Sequence, residues 1–155
     1  VNLEFHNDAF IQITLSFDVV AHQRNHIELY GDKGSINIPD PNTFGGSINI
    51  CTSKNGEWET IATDKNNLGK INIHNSKKTN ENPGIANYRG IGVSEMVDSI
   101  NNKRLNRCSG ELSLHVLDIL DTIIKSSEND KKLQLRSSIN EVSYFGEDEI
   151  SKLLN

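Results

Sequence analysis

The sequence has little of what usually betrays a function on sight. Its 155 residues include two cysteines, one methionine, one tryptophan and three prolines. Cys51 and Cys108 are too few for a disulfide framework and lack CxxC spacing, so a reducing, cytoplasmic setting is expected. No apolar run approaches the ~18 residues of a membrane helix, and no basic, apolar leader opens the sequence. Positive charge is short as well: 16 Lys and Arg against 21 Asp and Glu leave a formal net charge of −5. Phosphate backbones need a concentrated positive surface, and the basic doublets here, Lys77-Lys78 and Lys131-Lys132, sit among polar or acidic residues. Neither a nucleic acid nor a membrane is expected as a partner.

What is present reads as one domain, residues 1–155, long enough to bury ~70% of its unfolded surface without a metal or a disulfide. The first half carries the period of strands. Ile11, Ile13, Leu15, Phe17 and Val19 alternate with Gln12, Thr14, Ser16 and Asp18, which predicts one half-buried strand with a polar outer face. Asn7-Asp8 is the turn that leads into it. Strands are also expected at 26–30, 35–38, 48–52 and 58–62, with Gly31-Asp32-Lys33-Gly34 and Asn55-Gly56 as turns. Positive φ is expected at the glycines of the first turn. Residues 63–87 are polar and suggest little regular structure.

The second half switches to the helical period. Val93, Met96, Val97 and Ile100 share one face of a helix, and Leu112, Val116, Ile119, Leu120, Ile123 and Ile124 mark a longer one. Ser109 or Gly110 is its expected N-cap. A closing strand at 133–135 and a final helix at 147–154 complete the reading. Strands first and helices after predict an α+β domain: a large, mostly antiparallel open sheet with helices on one face. The polar 12/14/16/18 face is then left for a ligand or partner.

Chemistry-bearing residues gather in two places. Pro39-Asp40-Pro41-Asn42-Thr43-Phe44-Gly45-Gly46 holds a carboxylate, an amide, a hydroxyl and a ring, a set able to bind a polyhydroxylated ligand. The same residues also read as a proline-bounded turn with Phe44 plugging the edge of the core. Asn87-Tyr88-Arg89-Gly90-Ile91-Gly92 runs into a helix, where backbone amides and a guanidinium could hold an anion. Alternatively it is a capping loop whose Arg89 makes a structural ion pair. The Gly-x-Gly there lacks the third glycine and the preceding strand of a dinucleotide fingerprint. The five histidines show no ligand spacing, so no metal site is expected. His115 reads as a core-edge residue donating to a backbone carbonyl, and Cys108 has no partners for nucleophilic catalysis.

Three segments together carry a family likeness. They are His26-Ile27-Glu28-Leu29-Tyr30-Gly31-Asp32-Lys33-Gly34-Ser35 with Asp40-Pro41-Asn42-Thr43-Phe44-Gly45-Gly46; Asn87-Tyr88-Arg89-Gly90-Ile91-Gly92-Val93 with Met96; and Arg107, Ser109-Gly110-Glu111-Leu112 and Leu114-His115-Val116-Leu117-Asp118. In this order, over roughly residues 9 to 136, the chain resembles the C-terminal domain of the Gfo/Idh/MocA oxidoreductases, which include glucose-fructose oxidoreductase and inositol dehydrogenase. The resemblance implies an N-terminal Rossmann domain that binds NAD or NADP, and a C-terminal α+β domain that completes the pocket for a sugar or polyol. It also implies a homo-oligomer formed through the open sheet face. The family's glycine-rich loop, its Glu-Lys-Pro segment with a catalytic lysine and its Asp/His motif are missing from these 155 residues. No catalytic and no cofactor-binding residue is therefore assigned, and the chain is expected to be inactive alone. Its opening, Val1-Asn2-Leu3-Glu4-Phe5, already alternates like a strand, which fits a piece of a longer polypeptide. Asp40, Asn42, Thr43, Phe44, Asn87, Tyr88 and Arg89 are the expected substrate-binding residues. The competing reading is a free-standing, non-catalytic binding or scaffold protein of the same fold.

Overall fold

A computed structural model describes residues 1–63, 67–70, 77–79 and 82–154. It divides into two compact units: Val1–Gln23 with Arg107–Val142, and Arg24–Asn106 with Ser143–Asn155.

In the first unit, strands β1 (Asn2–Glu4) and β2 (Phe10–Gln12) form an antiparallel hairpin. Its turn is the one the sequence marks. Asn7 Oδ1 accepts the Ala9 N–H at 3.2 Å, and Asp8 takes the left-handed backbone that Asn and Asp tolerate, with φ 64°. The long strand expected at 11–19 is cut short. Its ladder runs only as far as the paired Val1 and Ile13. The alternation beyond Ile13 finds no neighbour, so Leu15, Phe17, Val19 and Val20 lie exposed. An apolar period states which face would be buried; a strand also needs a second backbone to bond.

Helix α2 spans Gly110–Asn129. Ser109 caps it as expected, accepting the Leu112 N–H at 3.1 Å, and Glu111 sits in the first turn at the positive end of the helix dipole. Asp130 ends it in the left-handed conformation, φ 48°. The strand expected at 133–135 is absent, and the residues just after it are tied to α2. Asp118 Oδ2 accepts the N–H groups of Arg136 and Ser137 at 2.9 Å each and the Ser137 hydroxyl at 2.8 Å. Those donors hold the Asp118 carboxyl below the usual aspartate value, the Ser137 N–H contributing most. His115 Nδ1 meets the Ser137 hydroxyl at 2.8 Å rather than the expected backbone carbonyl.

In the second unit, β3 (Ile27–Gly31), β4 (Gly34–Ile38), β5 (Ser47–Cys51) and β6 (Glu59–Ala62) form a four-stranded antiparallel meander. All four lie within a residue of their sequence-based positions. Of Gly31 and Gly34, only Gly34 is required, and for a reason other than the one expected. Neither has positive φ, but a Cβ on Gly34 would stand 2.6 Å from the Cys51 carbonyl oxygen of the next strand.

Register and alternation sort this sheet into two faces. Leu29, Ile36 and Ile50 fall in one cross-strand row, and Ile38 and Ile48 share that face. Glu28, Asn37, Asn49 and Thr60 make a polar row on the other, where the Thr60 hydroxyl donates to Asn49 Oδ1 at 2.8 Å. Within 63–87, short strands β7 (Lys77–Thr79) and β8 (Asn82–Ile85) pair antiparallel, and a 3-10 turn occupies Asn67–Gly69. The fold is therefore α+β with antiparallel sheets, present as one four-stranded and two two-stranded sheets among the described residues.

Helices α1 (Ile91–Asn101) and α3 (Glu147–Leu154) close this unit; α3 packs on α1 and on the 3-10 turn. The orientation of α1 reverses what its period suggests. Glu95 and Ser99 are buried, at 2% and 3% exposure, while Val93, Met96, Val97 and Ile100 are exposed, Ile100 at 68%. Burial of Glu95 is compensated by Arg104, which grips its carboxylate with both terminal nitrogens at 2.7 and 2.5 Å and reaches Asp98 at 2.5 Å. The two carboxylates hold the guanidinium more firmly protonated than usual, with Glu95 the stronger influence.

Candidate functional site

The two chemistry-bearing segments meet. The 40–46 loop is built by local hydrogen bonds: Asp40 Oδ1 accepts the Asn42 N–H at 2.8 Å, and the Asp40 carbonyl accepts the Thr43 N–H and hydroxyl at 3.1 and 2.9 Å. Gly45 and Gly46 then turn the chain into β5 with φ of 82° and 108°. A Cβ at Gly46 would also stand 2.9 Å from the Pro39 ring.

Three contacts join this loop to residues 87–89. Phe44 forms an isolated antiparallel bridge with the buried Ala86. The Phe44 and Tyr88 rings meet edge to face, centroids 5.8 Å apart at 78°. Arg89 Nη2 donates to the Asn42 carbonyl at 2.9 Å and to Asn42 Oδ1 at 3.1 Å. Tyr88 anchors the far side, its hydroxyl donating to the Lys70 carbonyl at 2.8 Å. Asp40, Asn42, Thr43, Phe44, Tyr88 and Arg89 thus form one cluster. Asn87 supports it by accepting the Arg89 N–H on Oδ1 at 3.3 Å.

Both sequence readings of Arg89 change. Its partners are a neutral amide and a carbonyl, with no ion pair to a carboxylate among the described residues, and this guanidinium nitrogen is committed to holding the loop. Phe44 is half-buried and packs against the second candidate segment. Gly90-Ile91-Gly92 forms the start of α1 after an isolated antiparallel bridge. These glycines do not fit a dinucleotide loop, which needs a βαβ unit with parallel strands.

Beside the cluster lies an open cleft of about 420 Å³. Ile38 and Ile48 from the apolar sheet face line it, together with Pro39, Pro41, Leu68 and Ile150. Asp40, Thr43, Thr63 and Glu147 supply its polar side chains. Asp40 and Thr43 are thus the expected residues that reach the cleft; Asn42, Phe44, Tyr88 and Arg89 stand behind it and hold the wall. The contribution of α3 through Glu147 and Ile150 was missed. Its signal was an amphipathic helix after the last strand, Ile150, Leu153 and Leu154 against acidic residues, which states a buried face but not what it packs on. No group of three or more His, Cys, Asp or Glu side chains suited to a metal occurs among the described residues. No helix among them is long and apolar enough to cross a membrane.

The described residues form an α+β fold of antiparallel sheets and three helices, with a cleft lined by the 38–48 segment and by α3. Residues 1–135 match the family model described as the oxidoreductase family, C-terminal alpha/beta domain, of the Gfo/Idh/MocA proteins. The chain belongs to that family. No match was found among curated proteins or among solved structures.

Proposed function

We propose that this chain is the substrate-side domain of a nicotinamide-dependent oxidoreductase that reversibly oxidises a secondary alcohol on a sugar or polyol. The observation that carries the reading is the union of residues 40–44 with 87–89 around a cleft in a chain of this family. NAD or NADP is bound by a Rossmann domain elsewhere in the parent polypeptide. When bound there, it supplies the hydride acceptor. The residues of this chain position the alcohol: Asp40 and Thr43 face it, while Arg89, Asn42, Phe44, Tyr88 and Asn87 fix the wall that carries them. The cleft's apolar lining keeps water from the reacting carbon once a second domain covers it.

No acid–base residue is assigned here, so the chain is inactive alone and its catalytic groups lie in the partner domain. The polar row Glu28–Asn37–Asn49–Thr60 on the outer sheet face is the surface through which copies associate, in a cytoplasmic homo-oligomer. Reduction of NAD(P) by the full parent polypeptide over a panel of sugars and polyols tests the reading. Turnover by the parent with none from the 155-residue chain supports it; a parent that oxidises no alcohol would overturn it.

A further inference from the structure

The polar side chains around the cleft share a property that selects its ligand. A hydroxyl has one proton to donate. The Thr43 proton is spent on the Asp40 carbonyl at 2.9 Å and the Thr63 proton on the Gly46 carbonyl at 2.6 Å. Towards the cleft both hydroxyls can only accept. Asp40 and Glu147 are carboxylates, acceptors by nature. Asp40 gives one oxygen to the Asn42 N–H and keeps the other free of any donor closer than His26 Nε2 at 3.9 Å. No described lysine, arginine or histidine lines the cleft. Its described polar side chains therefore present four acceptors, two of them negative, beside apolar Ile38 and Ile48.

A ligand fitting this wall must donate at every polar point and show apolar C–H surface to Ile38 and Ile48. A carboxylate or phosphate on the ligand would find acceptors opposite it and a like charge nearby. We propose that the cleft takes a hydroxyl-rich ligand carrying an ammonium group, an amino sugar or aminopolyol, with the ammonium between Asp40 and Glu147. This rests on the reading of the chain as the substrate-side domain and narrows its substrate class. It also gives α3, which follows the family-matched residues 1–135, a role in specificity through Glu147.

The test is titration calorimetry of the full parent polypeptide at neutral pH with glucosamine, glucose, glucuronate and glucose 6-phosphate. Glucosamine should bind at least about tenfold more tightly than glucose, the loss expected when a charge-assisted hydrogen bond is absent. Neither acidic sugar should bind measurably. Glu147→Gln should weaken glucosamine about tenfold, and by more than it weakens glucose, so that the preference is lost, with circular dichroism checking that α3 persists. Asp40→Asn, which keeps the oxygen that accepts the Asn42 N–H, serves as the second variant: it too should remove the preference for glucosamine, and because Asp40 faces the ligand it should weaken glucose as well. An acidic sugar that matches glucosamine, a preference that survives both variants, or no binding by any of the four overturns the proposal. Turnover of a neutral or acidic sugar without the amino preference would sink this inference and leave the oxidoreductase reading standing.

Discussion

The four-stranded sheet of the second unit and the hairpin of the first were equally plain as strand patterns, yet they fare differently. In β3–β6 each strand finds its neighbour within the same stretch of chain through a short connection, so register and faces are complete. In the first unit the alternation of residues 11–19 is just as strict, but pairing stops at Ile13 and the apolar side chains beyond stand in solvent. The helices divide less cleanly. In the second unit α3 lies on neighbours, but α1 exposes Val93, Met96, Val97 and Ile100, as α2 in the first unit exposes Leu114, Leu117, Leu120 and Ile124 along one face. Strand pairing that is local in sequence is completed by its own residues; apolar faces that outrun their partners need further surface to cover them.

The contrast can be broken by mutation. The largest effect is expected at Arg104, which the second unit uses to neutralise buried Glu95. Arg104→Ala leaves a carboxylate at 2% exposure without its main partner and should cost about 3–5 kcal/mol. Urea denaturation followed by the single tryptophan, Trp58 in the second unit, reads it. The pair Glu95→Leu with Arg104→Met should recover most of that loss, because both charges are then gone. Equal losses in the single and double variants would show that packing, not the buried charge, sets the cost.

In the first unit the matching change is smaller. Ser109→Ala removes the cap of α2 and should cost about 1 kcal/mol in helix unfolding followed by circular dichroism. Trp58 fluorescence should barely respond if the units melt separately. Asp118 adds a pH dependence to this unit. Its folded pKa lies below the ordinary 3.8, so its contribution is present above that value and is lost as pH falls through the folded one. The first unit should therefore soften on acidification below about pH 4, and Asp118→Asn should flatten that dependence.

The smallest effect is expected at Leu117. In the 155-residue chain it is exposed, so Leu117→Ser should change stability by less than about 0.5 kcal/mol. In the parent polypeptide the same change should cost about 2 kcal/mol, the loss of a buried leucine, because the partner domain covers the stripe. Equal small effects in both would place the stripe in solvent throughout.

Much of the fold was legible because local rules decided it. Asn7-Asp8 and Asn55-Gly56 turn the chain where their backbones permit, Ser109 caps α2, and the 147–154 helix forms where its period begins. The misreadings share a physical cause. Period reports which residues are alike, not what meets them: α1 turned its apolar stripe outward and buried Glu95, because a later residue, Arg104, made that burial affordable. The 133–135 segment alternates but pairs with no strand, and the residues that follow it, Arg136 and Ser137, are bonded to Asp118. At the site, the residue types at 40–44 and 87–89 marked two candidate segments, and their meeting through Arg89–Asn42 and Phe44–Tyr88 was not readable from either. Its cleft was hidden because Glu147 and Ile150 arrive from more than a hundred residues downstream of Asp40.

The central claim is that this chain shapes a pocket and leaves nucleotide binding and chemistry to another domain. Calorimetric titration of NADH and NADPH into the 155-residue chain and into the parent polypeptide, side by side, tests it most directly. The account predicts binding of one nucleotide by the parent and none by the chain. A nucleotide that binds the 155-residue chain with the parent's affinity would contradict it.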